Sequence, residues 1–145
     1  MKVLLDTSVI VPALVQKHDF HSRAFDILSR VQSRDDDGYV SAHGLAEIYA
    51  VLTTLPPPFR HSPEQALLSI EENVQKYFTI SNLSGDEYVT LLREAALRGI
   101  QGGTIYDSIL IQSAIKVQVE KIYTFNLKHF QRIAPEEICH SIFSP

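Results

Sequence analysis

Strand-like and helix-like segments alternate along this chain, and that alternation predicts an α/β fold with a parallel sheet carrying helices on both faces. Two further observations support it. The 145 residues fit one domain near the common size and can bury a sizeable core. No repeat or linker interrupts the chain, so residues 1–145 read as a single domain.

The elements follow in order. Lys2–Leu5 reads as a short buried strand and Ser8–Gln16 as the helix after it, with Pro12 either in its first turn or kinking it. Asp19–Arg34 is amphipathic, and Phe20, Ala24, Phe25, Ile27, Leu28 and Val31 form its apolar face. Asp35-Asp36-Asp37-Gly38 reads as a turn with solvated aspartates, leading into a strand at Tyr39–Ser41 and a helix from Ala42 to Leu55. Pro56-Pro57-Pro58 stops that helix. Ser62-Pro63-Glu64-Gln65 restarts one, with Ser62 as N-cap, Pro63 in the first helical position and Gln65 completing a capping box.

Tyr77–Ile80 alternates as a strand does, and Ser84-Gly85-Asp86-Glu87 opens a helix that runs to Arg98 and ends at Gly99. After a glycine-rich loop, Thr104 to Gln118 reads as a long helix and Lys121–Thr124 as a strand. A helical turn near Asn126–Phe130 and a tail without clear signals complete the chain.

Composition narrows the function. With 45% hydrophobic and 21% charged residues, this is the profile of an ordinary globular protein. The lone Cys139 excludes an internal disulfide framework and a cysteine-based zinc site, and it is compatible with a reducing cytoplasm, the expected location. No apolar run is long enough to span a bilayer, and Asp6 interrupts the N-terminal apolar stretch, which argues against a signal peptide. The net charge of −4 argues against general nucleic-acid binding, which favours a basic surface. It does not argue against a carboxylate cluster holding a cation, whose charge inverts the local field.

Three carboxylates carry the chemistry. Asp6 ends the apolar run Val3-Leu4-Leu5. Glu47 lies in the early turns of its helix. Asp107 heads a helical stripe of Leu110, Ile111 and Ala114 that packs inward. A charge at such positions is costly unless paired or bound to metal. Together they would make a site for a hard cation, which takes oxygen ligands. Asp6 and Thr124-Phe125-Asn126 both follow strands, the edge of a parallel sheet where ligands bind. Each residue also has a plainer reading: Asp6 as an N-cap, Glu47 as a solvent-facing helix residue, Asp107 as the acid of a capping box with Thr104.

Leu5-Asp6-Thr7-Ser8-Val9, Ala46-Glu47-Ile48, Tyr106-Asp107-Ser108-Ile109-Leu110 and Thr124-Phe125-Asn126-Leu127-Lys128-His129-Phe130 resemble the four motifs of PIN-domain ribonucleases, in particular the VapC-type toxins. Order and spacing agree over nearly the whole chain, the first and third motifs being the specific ones. The resemblance implies a three-layer α/β/α domain around a parallel sheet of about five strands. It implies Mg²⁺ or Mn²⁺ held by Asp6, Glu47 and Asp107, with Asn126 supporting the site. Thr7, Ser8 and Thr124 are then candidate donors around the carboxylates, while a capping role is enough to explain Thr104. The implied reaction is hydrolysis of single-stranded RNA leaving a 5′-phosphate.

A cognate antitoxin and a two-fold homodimer are the implied partners, with Ala42–Leu55 and Ser62–Tyr77 as candidate surfaces. Two positions depart from the pattern: Asn126 and His129 stand where many members have aspartate, which bears on metal stoichiometry. Among the six histidines, only His43 and His129 lie near the motifs.

Other readings fit less well. A haloacid-dehalogenase-like phosphatase would need a second acid two residues after Asp6, where Ser8 stands, and a response-regulator receiver would need an acidic pair before its phosphoacceptor strand. A PIN-like scaffold that binds RNA or protein without catalysis is the non-enzymatic alternative.

Overall fold

Val3, Leu4 and Leu5 of β1 (Lys2–Leu5) are at most 1% exposed, so this strand is buried on both faces. Alternation sends Val3 and Leu5 into one hydrophobic cluster and Leu4 into another, and the two clusters are the two interfaces of a layered fold. The computed structural model describes residues 1–145. Its elements after β1 are α1 (Thr7–Leu14), α2 (His21–Gln32), β2 (Asp37–Ser41), α3 (Ala42–Thr54) and α4 (Pro63–Ile70), which runs into a π-helical turn at Glu71–Gln75. Then come β3 (Thr79–Ser81), α5 (Gly85–Leu97), α6 (Thr104–Lys116), β4 (Lys121–Tyr123), α7 (Leu127–Ile133), α8 (Glu136–Cys139) and β5 (Ile142–Phe143).

The five strands are all parallel, in the order β3-β2-β1-β4-β5. Helices α1 to α4 cover one face through Val9, Ile10, Leu28, Ile48, Leu52 and Ile70; α6 to α8 cover the other through Leu110, Ile111, Phe130 and Ile138. Helix α5 joins the second layer, with Leu91 against Ile109. This is the expected α/β/α sandwich. Strand order reverses at β1, so a crevice opens beyond the carboxyl ends of β1 and β4, where open parallel sheets bind ligands.

Local signals hold closely at helix starts. Both capping boxes form: Ser62 with Gln65, and Ser84 with Glu87. Gly38 is required on steric grounds, because a Cβ there would collide with Val31 Cγ1 and lie 2.9 Å from the Phe78 ring. Pro12 lies near the end of α1 rather than in its first turn, and the helix stops two residues later. No helix is long and apolar enough to cross a membrane.

Several expectations are corrected. Asp36 is not solvated: it is 3% exposed, and its oxygens meet the Met1 amino group at 3.2 Å and Arg30 Nε at 2.8 Å. A turn signal says nothing about what folds over it, and Asp37 already belongs to β2, paired with Lys2 of β1. The tail is ordered as α8 and the edge strand β5, whose two residues are too few for periodicity to show. Phe20 and Phe25, assigned to the apolar face of α2, are 44% and 43% exposed, while Ala24, Leu28 and Val31 are buried as expected.

Candidate active site

Asp6 stands between β1 and α1 with the extended backbone of an N-cap, and its carbonyl accepts from Val9 and Ile10 N–H at 2.9 and 3.1 Å. Its carboxylate makes no cap. Instead Ser8 Oγ donates to Asp6 Oδ2 at 2.7 Å and Thr124 Oγ1 donates to the same oxygen at 2.9 Å. Oδ1 has no protein donor yet keeps contact with solvent, although Asp6 is only 4% exposed. The hydroxyls are themselves fixed: Phe125 N–H donates to Ser8 Oγ at 3.0 Å and Asn126 N–H to Thr124 Oγ1 at 3.0 Å. The β1 and β4 ends are thus locked together around one carboxylate, with Asp6 N–H on Tyr123 O at 3.0 Å.

Glu47 comes from the other side of the crevice on α3. Thr7 Oγ1 donates to its Oε2 at 3.2 Å, and its Oε1 lies 2.8 Å from Nε2 of His43, one turn earlier. That second contact has ion-pair distance without hydrogen-bond geometry, which leaves the buried His43 nitrogen unsatisfied. The His43 ring stacks on Tyr106 at 4.8 Å between centroids.

Asp107 sits in the first turn of α6, but Gly103 is the N-cap and no side chain caps the helix, so the capping-box reading with Thr104 fails. The carboxylate faces His129 Nε2 at 2.9 Å. Arg132 lies 3.0 Å from His129 Nδ1, and arginine can only donate. Nε2 is therefore the nitrogen that donates to Asp107, and the imidazole is held between a guanidinium and a carboxylate.

Asp6, Thr7, Ser8, Glu47, Asp107 and Asn126 all line one open cleft of about 450 Å³. The Asn126 side chain makes no hydrogen bond although it occupies the N-cap of α7. No lysine or arginine pairs with any of the three acids, whose partners are hydroxyls and imidazoles. The effect registers at Asp107: burial and then the negative charge of Asp6 push its carboxyl above the usual range, against the His129 hydrogen bond and charge, with Glu47 adding to the rise.

The donor set is oxygen-rich, carries an uncompensated charge and includes one uncharged amide, which fits a hard divalent cation. In this arrangement no three acidic, imidazole or thiol groups enclose a common ion position. Glu47 and Asp107 each lean on a histidine, so an ion bound by all three acids would compete with His43 and His129 for them.

The PIN domain profile matches residues 3–135. The chain belongs to the PIN-domain family. Among its relatives, this PIN domain is 29% identical to ribonuclease VapC27 of Mycobacterium tuberculosis over 116 residues, 80% of this chain and 79% of that one. Its fold matches VapC20 of Mycobacterium tuberculosis, a sarcin-ricin loop cleaving toxin, with a TM-score of 0.70 at 13% identity, covering 92% of this chain and 97% of the other. It also matches VapBC2 of Rickettsia felis, solved bound to a DNA fragment from its promoter, with a TM-score of 0.66 at 20% identity over 100% and 99% of the two chains.

Every residue singled out in the sequence lines this PIN-domain cleft or touches one that does, Thr104 excepted. Sequence reading missed Arg132, which contacts His129, and quoted Tyr106 within a motif without seeing that its ring stacks on His43. The one signal for Arg132 was its position three residues after His129 on a helix.

Proposed function

We propose that this PIN domain is a divalent-metal-dependent endoribonuclease of the VapC toxin type, cutting RNA in the cleft of Asp6, Glu47 and Asp107. The observation that carries the reading is the convergence of three carboxylates on one cleft with no lysine or arginine to balance them. Asp6, Glu47 and Asp107 would hold Mg²⁺ or Mn²⁺, with the Asn126 carboxamide as an uncharged fourth group. When bound, the ion lowers the pKa of water and offsets charge on the phosphoryl oxygens.

The chain's own residues supply the geometry. Ser8 and Thr124 hold Asp6 by one oxygen and leave the other open to the cleft. Thr7 orients Glu47. His129, oriented by Arg132, restrains Asp107 and would release it to the ion when one binds. The expected product carries a 5′-phosphate.

A small antitoxin that covers the cleft, a two-fold homodimer and a cytoplasmic location complete the reading. The similarity to the VapBC2 assembly supports the antitoxin partner. The test is cleavage of a pool of structured RNAs with Mn²⁺, Mg²⁺ or chelator, beside Asp6→Ala. Metal-dependent cutting that the variant lacks is the expected result.

The second reading, a non-catalytic RNA- or protein-binding scaffold, draws on the engagement of Glu47 and Asp107 by histidines. Calorimetry separates the two: a scaffold takes up no divalent cation, whereas the nuclease does.

A further inference from the structure

Beside its acids, the cleft carries an aromatic pair. Phe20, which the sequence assigns to the core face of α2, turns outward at the N-terminus of that helix and is 44% exposed. It stacks on Phe125, with ring centroids 4.6 Å apart and planes 24° from parallel, and both rings line the same cleft as Asp6 and Asn126.

The pair is rigidly held. Phe20 N–H donates to His18 Nδ1 at 3.0 Å. Phe125 N–H donates to Ser8 Oγ, which in turn holds Asp6. The Arg23 guanidinium rides on both rings, 5.1 Å from the Phe125 centroid and 5.8 Å from that of Phe20, and is tied to the Pro145 backbone oxygen at 2.7 and 3.0 Å. Two hydrogen bonds therefore connect the Phe125 backbone to the carboxylate of Asp6.

The cleft has no other evident grip on a nucleic acid. No lysine or arginine lines it, three acids do, and the chain as a whole is acidic. Without the ion the cleft itself offers the phosphates no cation, which gives weight to contacts with bases. A flat aromatic surface beside the reacting centre takes an unpaired base through its π-face, whatever the base.

We propose that Phe20, backed by Phe125, is the stacking platform for an unpaired base next to the scissile phosphate, and so helps to restrict this enzyme to single-stranded or looped RNA. The inference rests on the ribonuclease reading. Its occupant is a nucleobase rather than a protein side chain, because the platform is continuous with the site of phosphodiester cleavage and is bordered by the Arg23 cation and the His18 ring.

The experiment titrates the full chain, in chelator so that nothing is cut, against short single-stranded RNA carrying 2-aminopurine, whose emission falls on stacking. Phe20→Ala and Phe20→Leu are each expected to weaken binding by roughly five- to 100-fold and to abolish the quenching. Phe20→Tyr, which keeps the ring, is expected to retain both. Binding should also depend only weakly on salt, because few counterions are released. With Mn²⁺ present, Phe20→Ala should raise KM and leave kcat close to wild type. Unchanged melting in the Phe20 variants excludes misfolding as the cause.

Equal affinity and equal quenching in wild type, Phe20→Ala and Phe20→Leu would overturn the platform, even if the same variants weakened binding of an antitoxin peptide. If wild type cuts RNA and the variants match it throughout, the platform fails and the nuclease reading stands. If wild type never cuts RNA but binds it through Phe20, base stacking on Phe20 stands, while the nuclease reading fails and with it the placement beside a scissile phosphate.

Discussion

At the N-terminal edge of the sheet, Asp36 is 3% exposed and has a cation on each carboxylate oxygen, Arg30 and the Met1 amino group. At the C-terminal edge, Asp6 is 4% exposed, and its only partners are the hydroxyls of Ser8 and Thr124. Glu47 and Asp107 stand in the same cleft, likewise without lysine or arginine. Titration follows the difference. Burial pushes the Asp36 carboxyl up, but the hydrogen bonds and charges of Arg30 and the amino terminus outweigh it and hold that group below the usual carboxylate range. Burial and the charge of Asp6 carry Asp107 above it. One edge has spent its charge on stability. The other keeps an unbalanced charge, and a folded protein tolerates such a deficit where a ligand is to supply the missing cation.

The comparison breaks most readily on activity. Asp107→Asn is expected to lower RNA cleavage by roughly 10²–10³-fold, the scale of losing a group that stabilises developing charge. Asp36→Asn should leave cleavage per folded molecule unchanged; a matching loss there would erase the distinction between the edges.

Stability should show the reverse. Asp36→Asn strips a buried acid from two cations and is expected to cost about 3 kcal/mol, lowering Tm by roughly 6–12 °C. The pH dependence follows from the sign of the shift. The native state binds the Asp36 proton more weakly than the unfolded chain, so its contribution is present at neutral pH. It is lost as pH falls below the ordinary carboxylate value and on through the lowered one. Thermal melts from pH 7 downward should therefore show a shallower acid limb in Arg30→Ala than in wild type.

Smaller effects sharpen the picture. Ser8→Ala and Thr124→Val release Asp6 without removing it, and each is expected to lower cleavage or Mn²⁺ affinity by roughly 10–100-fold, read by calorimetry beside the activity assay. The smallest effect has the opposite sign. In chelator, Asp107→Asn relieves repulsion and is expected to raise Tm by roughly 2–4 °C, about 1 kcal/mol. Adding Mn²⁺ at about 100 times its Kd should stabilise wild type by about 2.7 kcal/mol and Asp107→Asn by much less. A variant less stable than wild type in chelator would show the acids to be balanced already.

Much of this was legible in the chain itself, for reasons that differ by element. The capping boxes at Ser62 and Ser84 are local chemistry, closed within four residues, and both form as read. The burial of β1 follows from an apolar run with nothing to soften it, and the alternation of elements implied the parallel sheet. Asp6, Glu47 and Asp107 could be picked out as candidates because an acid at the mouth of an apolar element is costly without a partner, and the fold brings all three to one cleft.

Packing at a distance decided the rest. Asp36 reads as solvated until the Met1 amino group, 35 positions away, closes on it. Phe20 reads as core until a turn hydrogen-bonded to His18 swings it onto Phe125. The Arg132–His129–Asp107 chain joins α7 to α6, and periodicity within one helix carries no record of its neighbour. Residue type and spacing determined which groups could do chemistry, because propensity and the cost of burial act locally. Only the tertiary structure decided which charges stay unbalanced, because that depends on partners brought together from far along the chain.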